Sequence, residues 1–578
     1  MRKFAGMVAL GLVAVLLAGG GQASERGKPV GDFSLIDHLG KFHQLSRYAD
    51  HEAVVLFAHV RGDRDSNRAL AAYNELVEAF AGRNVAFFVL DSSGETDKSA
   101  LGRDAGRNGV GVPVLMDDTG LVAKALGLGN AAEVAILDPE RRESLFRGVI
   151  NDRFAAEGRS RRARQHYAAD ALGRILADGA SDAPMLASGG APIEFKPAPA
   201  ISYAGDIVPI LERRCLSCHT EGGIAPFAMS SHQIVRGWSP MIREVLYTKR
   251  MPPGQIDNDY VHDFKDVSHI TIDETRTLVQ WIDDGADFAG GEDPLPGLQP
   301  RQVKWSHGEP DLVLPIPAQQ IPATGIQDYR NIMVPLPIKE DIWVRAVEFE
   351  AGDPTVLHHI IAFAYGPDGL NEFEVLNQGI GLGAYAPGNE INTYPEGAGF
   401  PLKAGGGLFL QMHYTTSGKE TVDASEVALY LWDEKPERVV LGGSAAEFDI
   451  DIAPFSRQEM TASKTFRADS YLSMLGPHMH FRGLDARFRL TYPNGESAQL
   501  LSVPNYQFNW QKTYDFKAPL FVPAGSVLEF TGTFDNTAMN PFNPDPSDTL
   551  SWGEQSWQEM FFGFIIRYFE ASPGESSD

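Results

Sequence analysis

At 578 residues the chain is too long for one domain, and roughly one domain per ~150 residues gives about four. With 43% hydrophobic and 22% charged residues it has material for several cores, which excludes intrinsic disorder and collagen-like architecture. The 50 Lys and Arg against 76 Asp and Glu leave a net charge of −26 and no basic face for a phosphate backbone, so no nucleic-acid partner is expected. The two cysteines, three positions apart, cannot staple a disulfide scaffold.

In chain order, Met1-Arg2-Lys3, an apolar run from Phe4 to about Ala18 and the small residues up to Ala23 read as a secretory signal peptide over 1–23. The run is shorter than the ~20 residues that span a bilayer. A periplasmic or secreted protein without a membrane span after cleavage is therefore expected. Residues 27–180 alternate strands, such as Ala53–Phe57 and Val85–Leu90, with helical spacing at Ala69–Phe80, which predicts an α/β layer. Residues 181–200, rich in Pro, Ala and Gly, read as a linker. Helical periodicity dominates 201–290, and a second Gly/Pro joint runs from Gly290 to Pro300. Beyond it lie short β-rich runs, among them 311–314, 343–347, 408–413 and 486–490, enough for two β-sandwiches over 302–440 and 441–572.

Gly31-Asp32-Phe33, the strand ending at Phe57, and Asp138-Pro139 followed by Phe146-Arg147-Gly148 resemble the thioredoxin-like redoxin family. That family places a redox cysteine after its first buried strand. Here the stretch from His59 to Asn67 holds no sulfur, and thiol exchange needs a thiolate. A structural or partner-binding domain is expected, with His59 packed or solvated.

Cys215-Leu216-Ser217-Cys218-His219 is a C-x-x-C-H motif, the attachment signature of a c-type haem, with thioethers from Cys215 and Cys218 and an axial imidazole from His219. A redox pair or half a zinc site would leave the adjacent His219 unexplained. The segment resembles small cytochrome c domains, in which a Met-Pro element supplies the sixth ligand. That resemblance points to Met251 of Arg250-Met251-Pro252-Pro253, with Met229, Met241, His262 and His269 as competitors.

After residue 302 the histidines other than His307 fall into His358-His359, His413 and His478-Met479-His480. Strand residues i and i+2 share a face, so His478 and His480 can chelate together. Adjacent His358 and His359 point apart unless a bulge turns one. Imidazoles without thiolate favour copper or zinc, and a thioether partner favours Cu(I).

With Leu410–Tyr414, Phe534-Asp535-Asn536, Asn540-Pro541 and Gln555–Met560, these motifs resemble the copper type II, ascorbate-dependent monooxygenases. The resemblance implies two jelly-roll-like lobes and two copper ions. One would be held by His358, His359 and His413, and the oxygen-activating one by His478, His480 and Met560. Met474, Met479 and Met539 are rival thioethers. Gly476 and Phe564 stand where the peptide-hydroxylating members carry substrate-binding Arg and Tyr, so a less polar substrate is expected. The implied partners are O2, a small organic substrate and an external electron donor, with the haem relaying electrons. The alternative is a copper- and haem-binding electron-transfer protein without turnover.

Overall fold

The run Ala53-Val54-Val55-Leu56-Phe57-Ala58-His59 is apolar on both faces, as a strand covered on both sides must be. In a computed structural model it is the central strand β4. The structure describes residues 27–570 except 158, 196–199, 266, 299–302, 370–380 and 388–389, so the signal peptide expected over 1–23 lies outside the described residues.

Strands β1 (Lys28–Pro29), β2 (Ser34–Asp37), β3 (Phe42–Gln44), β4 (Ala53–His59), β5 (Val85–Asp91), β6 (Val114–Met116), β7 (Glu133–Asp138) and β8 (Glu143–Val149) form one sheet. Its order is β1-β8-β7-β4-β5-β6-β2-β3. β4, β5 and β6 run parallel, and β7 lies antiparallel to β4. Alternation along β4 sends Val55 and Phe57 to one core and Val54 and Leu56 to another. The first core is closed by helices α1 (Arg64–Ala79) and α4 (Tyr167–Asp178) through Leu70, Tyr73, Leu172 and Ile175. α1 starts where the Asp63 side chain accepts the Ser66 N–H at 2.6 Å. This is a thioredoxin-like α/β domain. Helices α2 (Lys98–Arg107) and α3 (Leu121–Leu126) complete it.

The second core continues into the next segment, which holds α5 (Val208–Arg214), α6 (His232–Tyr247) and α7 (Ile272–Asp283). Val54, Leu56 and Leu126 pack in one cluster with Leu211, Val235, Leu246 and Val279. The Arg276 guanidinium donates to the Asp118 and Thr119 carbonyls at 2.7 and 2.8 Å, and Lys98 pairs with Asp257 at 2.6 Å. α7 is stopped at its start by a capping box of Thr271 and Glu274.

The stretch expected as a linker is a strap along its described part. Main-chain bonds Val149 N–H to Leu186 O, Ala131 N–H to Ala191 O and Ile193 N–H to Gly129 O stitch it to the α/β domain, and Ser188 and Ile193 are buried. Its small residues permit that approach: at Gly190 a Cβ would meet the Ala131 carbonyl oxygen at 2.3 Å.

After residue 302 the described chain is β. A nine-stranded sheet runs through both halves, joined where Ala398–Leu402 pairs in parallel with Arg438–Glu447. The sheet of Arg330–Pro335, Gly407–Tyr414, Leu357–Tyr365 and Gly381–Tyr385 shares a core with one end, through Val344, Ile360 and Leu410. Arg457–Thr465, Val527–Asp535, Gly483–Thr491 and Ser497–Val503 form a sheet that shares a core with the other end, through Leu475, Phe488 and Phe530. Among the described residues no helix is long and apolar enough to cross a membrane.

Candidate metal centre

His358 and His359 start the strand Leu357–Tyr365, beside His413 near the end of Gly407–Tyr414. Leu357 pairs with Tyr414 and His359 with His413, and the register breaks between Leu357 and His359. A bulge inserts one residue and re-aims a side chain. His358 therefore turns toward its neighbours: its Nδ1 lies 2.9 Å from His359 Nδ1 and 3.3 Å from His413 Nδ1. Ligand atoms of all three lie within 4.8 Å of one another, close enough to share one metal ion.

His478 ends the strand Ser470–His478, and His480 follows two residues on with its ring centroid 5.3 Å away. Met479 between them points the other way, into the apolar core with Leu475 and Phe488. The Nδ1 of His478 is held by the Gln511 side-chain oxygen, and that of His480 by the Gln558 carbonyl at 3.2 Å. Each ring is thereby oriented by its Nδ1–H, which leaves Nε2 as the donor atom, the usual outer-shell arrangement of ligand histidines.

Glu559 fixes the backbone of this pair, accepting the N–H groups of His480 and Arg482 at 2.9 Å each. Burial pushes its carboxyl up to about 8, against the pull of those bonds and of Arg482. Met560, next in the chain, is 2% exposed. Met474 lines the cleft described below together with His478, whereas Met539 is partly exposed.

The two imidazole sets are contiguous. The His359 and His478 rings are 6.5 Å apart, and Tyr329 stacks on both His413 (4.7 Å) and His480 (5.8 Å). Phe508 packs against His358, His413 and His480 at 5.4–5.8 Å. Burial holds all five imidazoles neutral, with His358 and His478 lowered to about 4 and His413 to about 2. His359 and His480 are shifted far down for the same reason.

The Nε2 atoms of His358, His359, His478 and His480 are buried without a hydrogen-bond partner among the described residues. Unpaired buried nitrogens are costly unless something coordinates them. Neutral imidazoles with a thioether, that of Met474, lining the same cleft fit copper. A cleft of about 580 Å³, its open mouth included, reaches His359 and His478 between Ile361, Phe363, Met474, Gly476 and Phe564.

The helical segment holds Cys215 and Cys218 as free, partly buried thiols. Burial pushes Cys215 up to about 12 and raises Cys218, opposite to what a thiolate nucleophile requires. His219 Nδ1–H donates to the Phe227 carbonyl at 3.0 Å, and burial lowers its pKa. That leaves Nε2 for an axial bond, so the donor set fits a c-type haem.

Met251 lines a cavity between the helical segment and the α/β domain, with Leu121, Tyr247 and Ile270; Cys215, Cys218 and His219 do not line it. Of the competitors, Met229 is buried with its N–H on the His219 carbonyl, Met241 is exposed against Arg250, and the His262 side chain is 75% exposed. His269 is partly buried.

In the α/β domain His59 is buried at the end of β4. Its Nδ1 meets Asp91 at 2.9 Å and its Nε2 meets Asn67 at 3.1 Å. Burial alone would lower its pKa, but the Asp91 bond and charge, with Asn67 and Asp104, raise it above the ordinary value. It is a paired core histidine.

Tyr329, Phe508 and Gln511 carried no signal in the sequence. Ser556, whose hydroxyl lies 3.4 Å from His413 Nε2, and Glu559 lie inside the segment Gln555–Met560 that had already stood out.

Residues 26–154 match the AhpC/TSA family, which supports the redoxin domain. No curated protein matches the chain. Among solved structures, a hypothetical protein of Sinorhizobium meliloti 1021 is similar at 20% identity and TM-score 0.27, over 30% of this chain and 95% of its own. Peroxidoxin BcpB of Mycobacterium tuberculosis is similar at 22% and 0.18, over 21% and 81%. A putative thiol:disulfide interchange protein DsbE of Chlorobium tepidum follows at 14% and 0.20, over 22% and 86%. The α/β domain of this chain has the fold without a redox cysteine, since both cysteines of the chain lie outside the matched residues.

Proposed function

We propose that the protein is an exported, copper-dependent monooxygenase that hydroxylates an apolar organic substrate, with electrons relayed through its own c-type haem. The observation that carries this reading is the set of five buried, neutral imidazoles from both halves of the β region, four with an unpaired nitrogen, at the end of an apolar cleft. In this reading the β region forms two jelly-roll-like lobes of the copper type II monooxygenase kind. The helical segment is a cytochrome c domain, and residues 1–23 direct export to the periplasm or beyond.

His358, His359 and His413 would hold one copper ion. His478, His480 and Met560 would hold the other, and Met251 would complete the haem. Bound copper supplies reversible one-electron storage and O2 activation. The overall reaction takes R–H, O2, two electrons and two protons to R–OH and water. Gln511 and Gln558 orient the His478 and His480 rings, and Glu559 fixes the backbone from His480 to Arg482. Phe363, Met474 and Phe564 exclude water and favour an apolar substrate. Gly476 adds no cation to the cleft, and the ammonium of Lys512, which also lines it, donates to the Ser268 hydroxyl at 2.7 Å.

Metal analysis of the holo-protein, combined with reductant-dependent O2 uptake over a panel of apolar substrates and glycine-extended peptides, tests the reading. Copper with substrate-dependent O2 uptake supports it. Copper and haem without turnover would make the chain an electron-transfer or metal-binding protein instead. Robust turnover of the peptides would overturn the substrate class.

A further inference from the structure

The helical segment is seated on the β region along one seam, and the seam leads to His478. The Tyr514 hydroxyl donates to the Gly254 carbonyl at 3.1 Å, and the Lys512 ammonium to the Ser268 hydroxyl at 2.7 Å. Main-chain bonds join Lys265 N–H to Asp515 O and Asp257 N–H to Ser502 O. Phe264 packs on Phe516 with ring centroids 4.6 Å apart. Gly254 closes the Met251-Pro252-Pro253 loop with φ +68°, and a Cβ there would meet the Lys512 side chain at 2.7 Å. On the other side of the same backbone, Gln511 holds His478 Nδ1, and Gln511, Lys512 and Thr513 line the cleft. Four consecutive residues thus touch the proposed axial-methionine loop at one end and a proposed copper ligand at the other.

We infer that residues 511–514 are the electron bridge from the helical segment to the histidine cluster, and that electrons enter at His478 and not at the His358–His359–His413 set. The inference rests on the proposed function and specifies its internal wiring. Electron tunnelling falls steeply with distance and is favoured by covalent and hydrogen-bonded contact over gaps. This path runs from Gly254 across one hydrogen bond to Tyr514, then along peptide bonds to Gln511 and across one hydrogen bond to His478. Lys512 also lies close enough for its charge to act on Cys218, which brings the other edge of the haem motif near the same seam. A competing route passes through Tyr385, which lies within electrostatic reach of Cys218 and pairs across the sheet with Ile360, next to His359. In the transfer one electron leaves ferrous haem, which becomes ferric, and converts Cu(II) to Cu(I). No bond forms or breaks, and no proton need move.

The test is laser-flash reduction of the haem by a ruthenium photoreductant in the full-length, Cu(II)-loaded protein, without O2 or substrate. Loss of the ferrous haem absorbance gives the rate, and freeze-quenched EPR follows the Cu(II) signal. Gln511→Leu is expected to slow haem reoxidation roughly tenfold or more, as loss of an outer-shell ligand partner does. Tyr514→Phe, which keeps the ring and removes the bond to Gly254, is expected to slow it less, and Tyr385→Phe to leave it unchanged. Haem spectra and copper content of each variant establish that it is folded and loaded. Slowing by Tyr385→Phe alone, or equal rates in all four proteins, would overturn the bridge while leaving the metal reading intact. A wild-type chain that takes up no haem or no copper would overturn the reading beneath it and the bridge with it.

Discussion

His359 and His478 belong to different halves of the β region, yet their ring centroids lie 6.5 Å apart. The halves share a sheet, so strand pairing fixes this approach and not a flexible joint. Metals held by the two sets would be near neighbours. In EPR the fully loaded Cu(II) protein is expected to show a broadened or diminished signal relative to twice that of the half-loaded protein. Strictly additive spectra would place the ions in remote, independent sites.

Glu559 is expected to govern the affinity of the His478–His480 pair without touching a metal. It accepts two buried backbone N–H groups, and each such group left unpaired costs about 1–3 kcal/mol. Glu559→Ala should lower stability by roughly that range per group and weaken copper binding by roughly 10–100-fold. Glu559→Gln keeps an acceptor and should lose less. Denaturant unfolding and competitive copper titration measure the two effects, and an unchanged affinity in Glu559→Ala would remove its positioning role.

The pH dependence of the α/β domain should carry the signature of His59. Its pKa is raised in the folded protein by Asp91, Asn67 and Asp104, so folding favours the protonated ring. The stability it contributes is then fully present below the unfolded value of 6.5 and is lost as pH rises through the higher folded value. The advantage of wild type over His59→Asn should therefore be larger at about pH 5.5 than at about pH 8.5. Thermal unfolding at the two pH values measures it, and the opposite order would contradict the ion pair.

The α/β domain is expected to be inseparable from the helical segment. Leu56 and Leu126 share a core with Leu246 and Val279, so deleting 27–180 would bare that face. The truncated chain should show lower solubility, faster proteolysis within 203–283 and reduced haem incorporation. A soluble, haem-replete truncation would make the redoxin domain a detachable module.

Much of this was legible in sequence because the signals are local. The apolar runs of β4 and β5 need no partner to be recognised, and the i, i+2 spacing of His478 and His480 already puts both imidazoles on one face. His358 and His359 were ambiguous for the same reason: a straight strand separates neighbours, and only the register break after Leu357 reunites them. Such a break depends on the partner strand, which the local pattern does not contain. Tyr329 and Phe508 wedge between the histidine sets by tertiary packing and have no spacing to betray them. The Pro/Gly-rich stretch after residue 181 looked like a linker because small residues also suit a strap pressed against a domain.

Gly476 is the most direct handle on the cleft. It lies two residues before His478, and a Cβ there would meet Thr513 at 3.3 Å, Phe564 at 3.5 Å and the Met474 sulfur at 3.6 Å. Those contacts are tight but tolerable, so a small side chain can be added, and its outer atoms would occupy the cleft. Gly476→Val is therefore expected to leave copper content and the haem spectrum unchanged while lowering kcat/KM for a bulky apolar substrate by roughly tenfold. Smaller substrates should lose less, since they need less of the space. If every substrate on the panel kept its wild-type kcat/KM, the cleft beside His359 and His478 would not be the route to the metals. A uniform loss with unchanged discrimination would instead point to a disturbed His478.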